Sequence, residues 1–516
     1  MFASRGRRLW IHAMIGREPR YHGRMATNEP PSPSSPAAAA SPSAPPAPPV
    51  PRTFSPDEGF AKRLDELDPL RGLRDEFFIP TIKALHAADH AQSAHAAGGH
   101  AASPTASRPD GHGPCVYLTG NSLGCQPKGV RAAVDDELAD WARLGVEGHV
   151  HGKHPWLHYH EMFREPLARI VGAKPGEVVA MNTLTVNLHL MMISFYRPTP
   201  KRYKILIEDS AFPSDSYAVI SQAAFHRFNP SMTVLRMVPR DGEHTLRTED
   251  VLAIIEREGP EIALVLLGGV NYLTGQFMDM PRITAAARAA GCVVGWDLAH
   301  AVGNVPLRLH DIEADFAVWC SYKYLNAGPG AVAGAFVHEK HADRADLPRL
   351  AGWWGNDPAT RFAMHPNFTP RHGADGWQLS NPPILSLTPL KVSLDLFDRA
   401  GGMSALRRKS ELLTAYLQRM IDFVLQEVGG AGSGSAGGGS TLLEVITPRD
   451  PSQRGCQLSM LIRKDARAFN ERLKAAGVIC DFREPNIIRA APVPLYNSFH
   501  DVWRFAMILR DHLRSA

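Results

Sequence analysis

Between Tyr117 and about Val337, helical stretches alternate with short apolar runs, and no other feature of the sequence restricts the fold as much. The helical patterns VRAAVDDELADWARL and LRTEDVLAIIEREG are interleaved with the β-rich runs KILIED, IALVLLGGV, CVVGWDLAH, FAVWCS and VAGAFVH. A strand that is apolar along its whole length has no solvent face, and strands joined through helices pair in parallel. The pattern therefore predicts an α/β fold whose mainly parallel sheet is covered on both faces. Beyond about Gly352 a polar, proline-containing stretch leads to a long helix near Leu387 to Asp398 and another reaching about Val428. The segments TLLEVIT, CQLSMLI, DARAFNERLKAAG, VICDFR and IIRAAPV then describe a smaller α+β domain.

A chain of 516 residues, 44% hydrophobic and 21% charged, has apolar material for a large core and for more than one structural unit. Its 56 lysines and arginines nearly balance 52 acidic residues, and six arginines lie in the first 24 residues. Neither nucleic acid nor a membrane surface is implied as a partner. The six cysteines form no CxxC pair, so no structural zinc site or disulfide framework is suggested, and a reducing cytoplasm is the expected location. No apolar run reaches the roughly eighteen residues of a membrane span, and no signal-peptide pattern is present.

Composition divides the chain into four parts. Residues 1–52 are expected to be a disordered tail, since NEPPSPSSPAAAASPSAPPAPPVP cannot bury enough apolar area to offset chain entropy. Its basic beginning resembles a transit peptide, and Met25 just after it is equally consistent with a later start. An N-terminal segment (53–116) carries a flexible insertion (86–113) with five histidines, whose irregular spacing does not suit a metal site. A large domain is expected over 117–385 and a small one over 386–516, the latter holding a Gly/Ser-rich loop at 429–440.

Ligands of open α/β sheets sit beyond the carboxyl ends of the strands, so polar residues directly after apolar runs carry the chemistry. CVVGW ends in Asp297 and reaches His300, FAVWC leads to Ser321, Tyr322 and Lys323, and KILIED leads to SAFPSD, Ser210 to Asp215. Singly, Asp297 reads as a cap and Lys323 as a surface lysine. Together, a lysine among aromatic and small residues and a carboxylate 26 residues earlier suit pyridoxal phosphate. That cofactor needs a desolvated amine for a Schiff base and an anion against its ring nitrogen. Its phosphate would find Thr183 and Thr185 of MNTLTVNLH opening a helix.

The blocks YLTGNSLGCQPKGV, MNTLTVNLHLMMISFY, PTPKRYKILIEDSAFPSDSYA, GWDLAHAVGNVPL, WCSYKYLNAGPGAVAGAF, ATRFAMHP, QLSNPPILSL and APVPLYNSFHDV resemble kynureninases, in order, from about Phe54 to the C-terminus. The resemblance implies a fold-type I, aminotransferase class V-like pyridoxal-phosphate enzyme that hydrolyses kynurenine, 3-hydroxykynurenine or both in tryptophan breakdown and NAD supply. It implies that Lys323 carries the cofactor, that Asp297 faces the pyridine nitrogen, and that Tyr322 is both a phosphate contact and a proton donor. Leu184 and Thr185 would meet the phosphate, Phe212 would stack on the ring, and Asp215 and His300 would support its polar edge. Trp353 and Asn381 would complete the cofactor site across a homodimer interface, with Asn381 also near substrate. At Gly268 the family pattern has a serine, so this position is expected to offer a backbone N–H in place of a hydroxyl, with Tyr272 as a second phosphate donor.

For the substrate, the resemblance points to Arg489 as the carboxylate receptor, whose guanidinium fork suits that group. Ser122 and His149 would line the aromatic end, although GNSLG is also a good turn and His149 has His151 and His154 as neighbours. Two rival readings are a cysteine desulfurase or aminotransferase of the same fold and a scaffold without catalysis. The first would need a mobile reactive cysteine or another substrate; the second has no use for Asp297, Lys323 and Arg489 together.

Overall fold

The computed structural model describes residues 54–87, 113–344, 346–429 and 442–515. The expected tail, nearly all of the histidine-bearing insertion and nearly all of the Gly/Ser-rich segment lie outside these residues. Seven strands make the main sheet: β1 (Val178–Ala180), β2 (Lys204–Glu208), β3 (Val234–Met237), β4 (Ile262–Gly268), β5 (Val293–Asp297), β6 (Phe316–Trp319) and β7 (Gly334–Val337). Their order is β1-β7-β6-β5-β4-β2-β3. The five from β6 to β3 are parallel, and β7 runs antiparallel to both β6 and β1.

Side chains alternate across this sheet, and both faces are buried. Ile205, Ile207, Leu264, Leu266 and Val318 belong to one apolar cluster, whereas Leu206, Val265, Leu267, Val294 and Trp296 belong to another. Among the covering helices are α2 (Val130–Leu144), α3 (Leu184–Phe195), α4 (Pro213–Phe225), α5 (Thr248–Glu258) and α6 (Met280–Ala289). The strands β1 and β3 were not expected from the sequence. The first has only three residues, and the second, at the sheet edge, is half-buried except for Met237, so neither presents a long apolar run.

A second, antiparallel sheet follows α7 (Ile384–Arg399) and α8 (Gly402–Gly429). It consists of β8 (Leu443–Val445), β9 (Leu458–Ile462), β10 (Asp481–Arg483) and β11 (Ile487–Ala490) in the order β8-β9-β11-β10, with α9 (Ala466–Ala475) inserted after β9. Its apolar side meets α8 and the last helix, α10 (Phe499–Arg514), in a third cluster that includes Leu417, Met420, Met460, Ile488 and Phe505. Ser498 and Asp501 form a reciprocal cap that starts α10. The first described helix, α1 (Glu58–Leu67), buries Ala61 in the same cluster.

The strand order fixes where a ligand belongs. From β2 the chain moves outward to β3, then returns to β4 and proceeds the other way through β5 and β6, so the direction of winding reverses between β2 and β4. A crevice at the carboxyl ends of strands flanking such a reversal is the usual binding place in this class of sheet.

Candidate active site

A cavity opens at that reversal. Leu184, Thr185, Phe212, Asp215, Gly268, Tyr272, Asp297, His300, Tyr322 and Lys323 all line it, so ten of the residues selected from the sequence are brought together. Lys323 follows β6, and its Nζ lies 3.0 Å from His300 Nε2 and 5.9 Å from the ring centroids of both Phe212 and Tyr322. Burial holds the Lys323 ammonium below the usual lysine range, against the opposing pull of Cys320 and Asp297. Burial also keeps His300 neutral well below the usual imidazole range, with Lys323 acting in the same direction. A neutral His300 that accepts at Nε2 carries its ring proton on Nδ1, a buried atom with no partner within the protein.

Three carboxyl groups line the same cavity, and two of them, Asp297 and Asp215, act on this amine. Asp297 ends β5 beside Gly268 of β4, and its Oδ1 accepts from Ala299 N–H at 2.7 Å. Burial raises its pKa, opposed by that N–H and by Lys323. Asp215, in the first turn of α4, is raised further by burial and by its neighbours Asp297 and Glu208, and its Oδ1 is buried without a partner. Glu208, the last residue of β2, is the third: it is buried, accepts from Gly268 N–H at 2.7 Å and from Asn271 Nδ2, and is likewise raised by burial. Carboxyl groups this close cannot all ionise, so protons are retained among them.

Two helix N-termini meet on the other side. Leu184 opens α3 and Phe212 caps α4, while the Thr185 and Ser214 hydroxyls bridge the two helices at 2.8 Å. The first N–H groups of each helix have no partner within it, and both helix dipoles present their positive ends. The donor set thus fits pyridoxal phosphate on three counts: an amine, a buried carboxylate for a ring nitrogen, and converging helix starts for a phosphate. Phe212, 40% exposed with its ring edge-on to Tyr272, leaves an aromatic face at the cavity mouth.

One expectation is corrected. The backbone N–H of Gly268 is not open to a ligand, because Glu208 Oε1 already accepts it. A Cβ at this position would approach that oxygen to 2.9 Å, so glycine here makes room for the carboxylate behind it.

The other selected residues stand apart from the cavity. Arg489 is fully buried in β11, its Nη1 donating at 2.5 Å to the carbonyl of Tyr272, a lining residue. Ser122 lies in a turn tied to the site by the bond from Gly124 N–H to Tyr322 O, 2.9 Å. His149 is on a short exposed helix, with Nδ1 on Val146 O and its ring against Trp156. Trp353 and Asn381 are exposed on the chain surface. Sequence reasoning missed Glu208, Ser214, Asn271 and Cys320. Glu208 carried the signal that had found Asp297, an acid closing an apolar run; the others become visible only when loops from separate strands converge.

Comparison with known proteins agrees with this architecture. A family model described as aminotransferase class V matches residues 116–428, and one described as kynureninase C-terminal domain matches 406–509. The chain is 56% identical over 461 residues to a kynureninase of Myxococcus xanthus, covering 89% of this chain and 98% of that one. It is 53% identical over 436 residues to a kynureninase of Salinispora tropica, covering 84% and 98%. With a kynureninase of Nematostella vectensis it shares 50% over 450 residues, 87% and 92% of the two chains. A solved cysteine desulfurase from Thermococcus onnurineus NA1 has 16% identity and a TM-score of 0.62, covering 78% of this chain and 95% of that one. A desulfurase from Escherichia coli has 16% identity and a TM-score of 0.60, with the same coverages of 78% and 95%. These two likenesses concern the fold, which is that of fold-type I pyridoxal-phosphate enzymes. At the level of sequence, identity of half or more along almost the full length of the relatives settles a narrower membership: the chain belongs to the kynureninase family.

Proposed function

We propose that this chain hydrolyses the Cβ–Cγ bond of L-kynurenine, or of its 3-hydroxy derivative, giving anthranilate or 3-hydroxyanthranilate and L-alanine, with pyridoxal phosphate as cofactor. The observation that carries the reading is a single cavity where an amine of lowered basicity, Lys323, stands beside buried Asp297 and His300. Lys323 would hold the cofactor, Asp297 would face its ring nitrogen, and Leu184 with Thr185 would take its phosphate. Phe212, Asp215, Gly268, His300 and Tyr322 would surround it. When bound, the cofactor supplies an electron sink for the pair left on the amino-acid carbon.

The chain's own groups supply the rest. Arg489 would bind the substrate α-carboxylate, and Lys323, released when the substrate amine takes its place, would remove the α-proton as a free base, since burial disfavours its charge. Water adds to the ketone carbon, its oxygen ending in the aryl carboxyl group. Tyr322, whose phenol burial holds protonated, gives a proton to the alanine carbon as the bond breaks. Ser122 and His149 would line the aromatic end of the substrate, and Asn381 would meet both cofactor and substrate. The exposure of Trp353 and Asn381 on a single chain supports their use by a second copy, hence a homodimer.

A desulfurase reading finds no reactive thiol here. Five cysteines are buried and Cys480 is half-buried. Burial raises every one of the six thiols, the reverse of what a sulfur-accepting thiolate requires. The test is anthranilate fluorescence released from kynurenine by the purified, cofactor-loaded protein. Release is expected from the wild type, with Lys323→Ala reduced by at least about a thousandfold. Cofactor binding without anthranilate release would overturn the substrate assignment.

A further inference from the structure

The register of the small sheet sets Ser459, Arg489 and Asp481 in one row, each opposite the next across β9, β11 and β10. Residues directly opposite in antiparallel strands share a face. That face looks onto the loop after β4: Ser459 Oγ donates to Leu273 O at 2.6 Å, and Arg489 Nη1 donates to Tyr272 O at 2.5 Å. Asp481, with only 8% of its side chain exposed, accepts from Arg489 Nε at 3.1 Å and lies 2.7 Å from Nη2. The Nη2 contact is coulombic without hydrogen-bond geometry, so this buried donor has no directed partner.

Two residues further along β10, Arg483 reaches the same carboxylate. Its Nη2 donates to Oδ2 at 3.1 Å and its Nε lies 2.9 Å from Oδ1, while its side chain is 37% exposed. A guanidinium offers five N–H donors. Asp481 fixes Arg489 at Nε and the Tyr272 carbonyl fixes it at Nη1, which leaves directed hydrogens on the two terminal nitrogens, the edge that grips a carboxylate bidentately.

We infer that Asp481 is a positioning residue for substrate: it aims the Arg489 fork, and by dividing its one negative charge between Arg489 and Arg483 it leaves the trio with a single positive charge, matched to one carboxylate. The inference rests on the reading of Arg489 as the carboxylate receptor. Asp481 acts through Arg489, so its loss weakens recognition of the carboxylate without touching the reacting carbon.

The experiment compares cofactor-loaded wild type, Asp481→Ala and Asp481→Asn. Calorimetry measures binding of L-alanine and of L-alaninamide, which differ at the carboxylate alone. The wild type is expected to prefer the acid, and Asp481→Ala to lose about tenfold of that preference, with KM for kynurenine raised about tenfold and kcat within about twofold. Asp481→Asn keeps the shape and one acceptor and is expected to fall between; it decides the question if the alanine variant does not fold. An unchanged preference for the acid, or a fall in kcat at constant KM, would overturn the inference, as would a wild type without any preference for the acid. Anthranilate release by the wild type reports separately on the reading of function.

Discussion

Glu208, Asp215 and Asp297 put three buried carboxyl groups around one cavity, and the cofactor-free protein bears the cost. Their folded pKa values are raised by burial, so their contribution to stability is complete below the ordinary carboxylate range and is lost as pH rises through the raised values. The contribution of these three groups to the melting temperature of the cofactor-free protein is therefore expected to fall as pH increases from about 4 toward neutrality, opposite in sign to that of His160 and His300, which burial keeps neutral. Asp215→Asn removes one of the competing charges: it should flatten that fall and raise Tm at neutral pH by about 2 °C or more, while lowering activity. Scanning calorimetry across pH checks this, and an identical slope in the variant would count against it. At this scale the sequence was informative where one residue closed one apolar run, as with Asp297 and Lys323. Asp481 gave no such signal, because its meaning depends on which residue faces it across a neighbouring strand.

Among elements, the ends of β2 and β4 depend on each other. Glu208 Oε1 occupies the space a Cβ at Gly268 would need, and its other oxygen holds Asn271, whose Oδ1 in turn caps Leu273 and Thr274. Gly268→Ala is expected to displace Glu208, to destabilise the protein by about 1–2 kcal/mol, and to lower cofactor affinity as the Tyr272 loop shifts. Chemical denaturation and a titration followed by cofactor absorbance read the two effects. At the other wall, Thr185→Val removes a hydroxyl bonded to Ser214 and should weaken cofactor binding by roughly tenfold with little change in Tm. The five parallel strands were recognisable except for β3, whose half-buried residues and Arg236 break the apolar run. The antiparallel entry of β7 could not be read, since direction depends on where a loop returns.

Over the whole molecule, the first described helix and the turn after it are tied to α8 and α10 by charge as well as by packing. Lys409 of α8 and Asp68 form a 2.7 Å ion pair with side chains only 6% and 4% exposed, and Arg74 meets Asp501 at 2.6 Å. Asp65 accepts from the backbone N–H groups of Phe499 and His500 at the start of α10. Lys409→Met leaves Asp68 buried without its partner and is expected to cost about 3–5 kcal/mol, whereas the double variant Lys409→Met/Asp68→Leu should recover most of it. Denaturant midpoints of the two variants decide whether the pair or only its balance matters.

The small sheet reaches the cavity through a few polar contacts: Arg489 on Tyr272 O, Ser459 on Leu273 O and Gln457 on Tyr272 O. Those contacts meet backbone carbonyls, which every sequence provides. The segment from β8 to α10 is thus a graftable cassette provided that α1, Arg74 and α8, whose side chains tie its far side, travel with it. Exchanging it between relatives should transplant the grip on the amino-acid end of the ligand while leaving bond-breaking chemistry with the host, a recombination seam that directed evolution can use without redesigning the lysine site.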